Sequence, residues 1–214
     1  MSIWTSKASL ALAFASALAS AGCVMPFGGK DAPAMIALAS DGPVIAGPVG
    51  FCVDPTQTHE EGENAFVLLG SCASLSRDAA VERPAARAVL TASVTPASPG
   101  AEPLAKSFKQ IDSYFRSEAG RAALSRSGDA ATVKVVRTVI SDDLLLIELT
   151  DSAPSGANAV QARNWRGLMQ IRGRIVSFTV LGLAEDPLNT TTMRMLANDF
   201  AAALRAANGL SPAI

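Results

Sequence analysis

Apolar positions along this 214-residue chain change their period several times, and each change marks an element. Leu104, Phe108, Ile111, Phe115 and Ala119 recur at i, i+4, i+7, i+11 and i+15, with Lys106, Lys109, Asp112, Arg116 and Glu118 on the other faces. That spacing predicts an amphipathic helix. Gly120 should break or bend it before a short continuation through Leu124, and Ser127-Gly128-Asp129 ends it. A second helical stripe, Met193, Leu196, Phe200, Leu204 and Ala207, predicts a helix over 191–207. Asn189-Thr190 opens it and Asn208-Gly209 closes it, with Asp199 and Arg205 expected to lie away from the apolar face.

Between these helices the period falls to two. Thr132 to Ile140 and Leu144 to Thr150 read as a hairpin around Ser141-Asp142-Asp143, and Ala162 to Ile171 and Arg174 to Leu183 as another around Arg172-Gly173. A two-residue turn with glycine second is suited to positive φ and fixes the register. Met169 then faces Val176, Gly167 faces Phe178 and Trp165 faces Val180. This face is apolar, and Gly167 leaves room for the Phe178 ring. The other face carries Asn164, Arg166, Leu168 and Gln170 against Ile175, Ser177 and Thr179, mostly polar. One side of the sheet should be core and the other partly wet, with the 191–207 helix packed near Phe178 and Trp165.

Nearer the N-terminus, Val44 to Val53 and Ala65 to Cys72 are apolar and β-prone, joined by a polar loop from Asp54 to Asn64. Residues 24–42 and 74–102, rich in proline and polar residues, read as loops. If the two strands pair about Gly62, Cys52 and Cys72 fall opposite one another and a disulfide can bridge them. The predicted order is two strands, helix, four strands, helix: an α+β domain over 44–210, with about six antiparallel strands and two main helices packed on the sheet.

The start of the chain has another character. Lys7 precedes a small-apolar run, Ala8 to Ala21, that ends in Ser20-Ala21-Gly22-Cys23, the layout of a bacterial export signal over 1–22. At about 14 residues the run is shorter than the roughly 20 a spanning helix needs. Export implies an oxidising compartment, where Cys52–Cys72 would form. One of the three cysteines is then left over, and modification would remove the liability of a free thiol. Ala21-Gly22-Cys23 resembles the lipobox of bacterial lipoproteins, which implies that Cys23 carries the lipid and that 23–43 tethers the domain to a membrane. Ser20 departs from the aliphatic residue usual in that motif. The competing reading cleaves after Ala19-Ser20-Ala21 and releases a soluble periplasmic protein.

Without the leader the balance is 17 basic against 19 acidic residues, which gives no excess charge to hold nucleic acid. Candidate chemistry is sparse. His59, the only histidine, stands beside Glu60, Glu61 and Glu63, but neighbours in one loop do not converge as metal ligands without a scaffold, so no metal site is expected. No Gly-x-Ser-x-Gly elbow, P-loop, dinucleotide fingerprint or His-Glu-x-x-His is present, and no cofactor is expected. Asp142, Asp143, Glu148 and Asp151 are the carboxylates a glycosidase-like pair could draw on. Glu148 lies within an apolar strand and, if buried, needs Arg137 or Arg163 as partner. Arg163, Arg166, Arg172 and Arg174 cluster in sequence on the last two strands, and Arg166, Gln170 and Thr179 on the polar face are candidate partner-binding residues.

The element order resembles, in topology, that of PsbP-type domains over roughly 44–207. Gly50-Phe-Cys-Val-Asp-Pro55 with Phe66-Val-Leu-Leu-Gly-Ser-Cys72 is similar to lipoproteins of alphaproteobacteria. Neither resemblance carries functional residues across. No catalytic residue is nominated. The expectation is a non-enzymatic lipoprotein on the periplasmic side of the envelope, membrane-held through its lipid and engaging an envelope protein. A cell-wall-directed hydrolase using carboxylates and a soluble periplasmic ligand-binding protein are the alternatives.

Overall fold

The computed structural model describes residues 32–39, 41–78, 80–81, 83–154 and 160–211; the leader, Trp4, Lys7 and Cys23 lie outside them. The described chain is α+β, with ten strands and four α-helices. Its strands are β1 (Met35–Ala37), β2 (Val44–Ala46), β3 (Phe51–Val53), β4 (His59–Glu61), β5 (Asn64–Ser71), β6 (Ala88–Pro96), β7 (Val133–Ile140), β8 (Leu144–Asp151), β9 (Val160–Ile171) and β10 (Arg174–Leu183). The helices are α1 (Cys72–Ser76), α2 (Phe108–Arg116), α3 (Glu118–Leu124) and α4 (Thr190–Ala207). One antiparallel sheet runs β3-β5-β6-β10-β9-β8-β7, with β4 folded back on β5, and β1 and β2 form a separate hairpin.

The expected count of about six strands and its order are therefore corrected. The largest difference is β6, central in the sheet between β5 and β10, where the prolines suggested a loop. Ala88, Leu90, Ala92 and Val94 point into the core while Val89, Thr91 and Ser93 point out, so the period of two is intact. Two of the four inward residues are alanines, which weakens the hydrophobic signal. Pro84 precedes the strand and Pro96 ends it, positions where a missing N–H costs little. Met35–Ala37, within the stretch read as tether, pairs with β2 instead.

The C-terminal half follows its pattern closely. Arg172 and Gly173 both take positive φ, 50° and 72°, and set Met169 against Val176, Gly167 against Phe178 and Trp165 against Val180. Leu144 and Leu146 face α4, while Leu145, Ile147 and Leu149 face α2 and α3. β8 is thus buried on both sides, which accounts for its near-continuous apolar run.

Helix α4 begins at Asn189, whose Oδ1 accepts from the Thr192 amide at 2.9 Å. It buries Met193, Leu196, Phe200 and Leu204 on the β9–β10 face, each contributing roughly 2 kcal/mol of hydrophobic burial. Arg205, expected to lie away from this face, is buried: its Nε and Nη2 each donate to Asp143 at 2.7 Å. At the end of α4, the Asn208 side chain accepts from the Val44 amide and donates to the Val44 carbonyl, tying β2 to the helix.

The long helix expected from Leu104 is broken three residues earlier than Gly120. A 3₁₀ turn over Leu104–Ser107 leads into α2, and Ser117 caps α3 by accepting from the Gly120 amide at 3.2 Å. Gly120 serves a close approach: a β-carbon there would stand 1.9 Å from the Tyr114 carbonyl oxygen.

Candidate functional site

The face bearing Asn164, Arg166, Leu168 and Gln170 is divided in two. Helices α2 and α3 cover the part formed by β7, β8 and β9, closing a second apolar cluster of Phe108, Leu124, Val133, Leu145, Ile147 and Leu149. On β5, β6 and β10 the same face remains half-exposed.

That division separates the three nominated residues. Arg166 Nη2 donates to the Leu124 carbonyl at 2.8 Å, at the end of α3. Gln170 Oε1 accepts from the Leu104 amide at 3.0 Å, at the start of the 3₁₀ turn. Both side chains hold the helical layer onto the sheet, and neither heads a free polar surface. Thr179 lies directly across from Arg166 but on the half-exposed side, with Thr91 as its other neighbour. Thr91, Ser93, Ser177 and Thr179 form a two-by-two block of hydroxyl side chains, bordered by Leu68 beside Thr91 and Phe66 beside Ser93. The β6 hydroxyls escaped sequence reasoning because their strand did, although the alternation from Ala88 to Val94 was available to find them.

A polar seam runs under the end of α3. Asp151, 1% exposed, accepts from the amides of Arg126 at 2.8 Å and Ala153 at 2.9 Å. Burial pushes its pKa up, yet these two amides, the Thr132 hydroxyl and the Arg126 charge outweigh burial and hold the carboxyl below its ordinary range. Burial lowers the pKa of Arg166, with Asp151 acting against that and Arg126 adding to it.

On the opposite face, Glu148 is 1% exposed and accepts from Arg137 Nε at 2.7 Å and from Arg163 Nη1. Arg137 also lies over the Trp165 ring, 5.3 Å from its centroid. Both arginines that sequence reasoning offered as alternatives are used together. The four-arginine cluster is dispersed: Arg163 and Arg166 point to opposite faces, Arg172 donates to the Gly42 carbonyl, and Arg174 pairs with Glu63 at 2.7 Å.

Asp143 completes the acids. The hydrogen bond from Arg205 outweighs the upward push of burial, and with the arginine's charge it holds this carboxyl below its ordinary range. A general acid must keep its proton near neutral pH. Asp143 and Asp151 are ionised there, and both oxygens of Glu148 are engaged by guanidinium groups. The exposed Asp142 sits beside Asp143 in the β7–β8 turn.

The Asp54–Asn64 loop contains β4, which pairs with β5 through a turn at Gly62. His59 stacks on Phe66 with ring centroids 5.4 Å apart, and Glu60 accepts from the Ala39 amide. Among the described residues no three His, Cys, Asp or Glu side chains converge. Cys52 and Cys72 are disulfide-bonded, with Cα atoms 4.8 Å apart. The expected cross-strand placement is corrected: Cys52 lies opposite Gly70, so Cys72 falls past the strand and opens α1. Among the described residues no helix is long and apolar enough to cross a membrane. The chain matches no protein-family model, and no curated protein is significantly similar to it.

Proposed function

We propose that this protein is a non-enzymatic envelope lipoprotein, anchored through Cys23, with a binding or assembly-accessory role at the membrane surface. The observation that carries the reading is the half-exposed sheet face of Phe66, Leu68, Thr91, Ser93, Ser177 and Thr179. It mixes hydroxyl and apolar groups and no charge, a composition suited to contact with another protein once water is displaced. The arginine-held acids favour this reading over a carboxylate hydrolase.

Two measurements on one preparation test it. Intact mass of the protein from membranes of a lipoprotein-competent Gram-negative host should correspond to a chain beginning at an acylated Cys23. A photocrosslinking residue at Thr179 should capture a specific envelope protein, while the same residue at the exposed Ser113 on α2 should not. A lipid-free mass beginning at Gly22 would refute the anchor, and equal capture from both positions would refute the docking face.

A further inference from the structure

Beyond that face, the sheet ends in an open groove of about 680 Å³, within the size range of small-molecule sites. Its floor includes Gly70, Val89 and Leu183, at the ends of β5, β6 and β10. One wall is the start of α1, with Ser71 and Ser74; the other holds Arg83, Pro84 and Arg87. Arg87 is committed, donating to Glu185 at 2.7 Å. Arg83 is exposed and has no hydrogen-bond or ion-pair partner among the described residues. Ser71 precedes α1 without capping it, so its hydroxyl is not spent on the helix.

Gly50 touches both walls. Gly50 has φ 83°, and a β-carbon on it would stand 2.8 Å from Pro84 Cα, so the Arg83 wall packs directly on its backbone. The Gly50 carbonyl accepts from the Cys72 amide at 2.9 Å, which fixes the serine wall, and the Cys52–Cys72 disulfide fastens that wall to β3. Walls fixed in advance reduce the ordering cost of binding.

We propose that this groove binds a small amphiphilic organic anion. Its carboxylate or phosphate head would be received by Arg83 and the hydroxyls of Ser71 and Ser74, and its apolar body would lie over Gly70, Val89 and Leu183. A guanidinium with no internal partner on one wall and two hydroxyl donors on the other match an oxyanion held between them. The adjoining floor is apolar enough to discriminate against a bare ion. The floor continues the side of β5, β6 and β10 that carries Leu68, Thr91 and Thr179, so the site adjoins the docking face, and binding there does not depend on whether the chain is lipidated.

The test is titration of the isotope-labelled protein with n-hexyl phosphate, followed by amide NMR. Saturable shifts at Gly70, Ser71, Ser74 and Val89 are expected, with a dissociation constant of about 1 mM or below. Arg83→Gln changes an exposed side chain and leaves the fold intact; it should weaken binding about tenfold. Inorganic phosphate, lacking the apolar body, should bind about tenfold more weakly than hexyl phosphate. Absence of saturable shifts at these amides, or an Arg83→Gln variant that titrates as wild type, would overturn the site. Equal affinity for the two phosphates would overturn the assignment of an apolar body to the floor.

Discussion

Replacing Gly167 with alanine tests the packing on which the α4 side of the sheet depends. A β-carbon on Gly167 would stand 2.1 Å from Cζ and 2.3 Å from Cε1 of Phe178. Carbon atoms in contact are about 3.5–4.0 Å apart, so the ring would have to retreat by roughly 1.5 Å. Its retreat is blocked by Phe200, whose ring centroid lies 5.0 Å away, and both rings are fully buried. Overpacking costs about 1–3 kcal/mol where neighbours can yield. Here the neighbour is an aromatic pair under a helix, which places Gly167→Ala at or above about 3 kcal/mol. Urea unfolding followed by Trp165 fluorescence measures this, with an unchanged slope certifying that stability alone has moved. A thermal midpoint lower by roughly 10 °C should accompany it. Phe178→Leu supplies the internal check. Alone it should cost about 2 kcal/mol through lost volume and the lost ring pair. Combined with Gly167→Ala it should cost at least about 1 kcal/mol less than the sum, because the smaller side chain makes room for the new methyl. A Gly167→Ala variant within about 0.5 kcal/mol of wild type, or a strictly additive pair, would refute the reasoning.

Asp143 and Asp151 both have native pKa values below their ordinary 3.8, so each binds its proton more weakly folded than unfolded. Their stabilisation is complete above that value and is lost as pH falls through the folded values. The urea midpoint should hold steady from neutrality to about pH 5 and drop below about pH 4. Asp143→Asn should flatten part of that drop, and an unaltered acid limb would show that the Arg205 pair does not contribute. At Glu148, Arg137→Gln and Arg163→Gln should each destabilise by about 1–2 kcal/mol, since the other guanidinium remains. The double variant, with its buried carboxylate uncompensated, should lose more than the sum by chemical denaturation, and simple additivity would refute the shared network.

Most of what could be read from the sequence was local. The 3.6-residue stripe of Met193, Leu196, Phe200 and Leu204, the cap at Asn189 and the turn at Arg172-Gly173 each depend on neighbouring residues, and each is found in place. The turn alone fixed eight of the nine pairs in the later hairpin's register and set Gly167 under Phe178, because a two-residue connection permits only one pairing. Long-range pairing followed no such rule. β6 joins the N-terminal and C-terminal halves of the sheet through β10, a contact between residues more than 70 positions apart, and its alanines hid it. Whether a charged residue is solvated was likewise undecided by the chain. Arg205 and Glu148 are buried because Asp143 arrives from the β7–β8 turn, and Arg137 and Arg163 from the strands on either side of β8. Arg166 and Gln170 alternate as a wet face would, yet two helical segments from earlier in the chain settle over them and take their hydrogen bonds. Periods, turns and the Asn189 cap were legible along the chain because each is a property of adjacent residues. Which face each element meets emerged only in the fold, because it depends on surfaces brought together from distant parts of the chain.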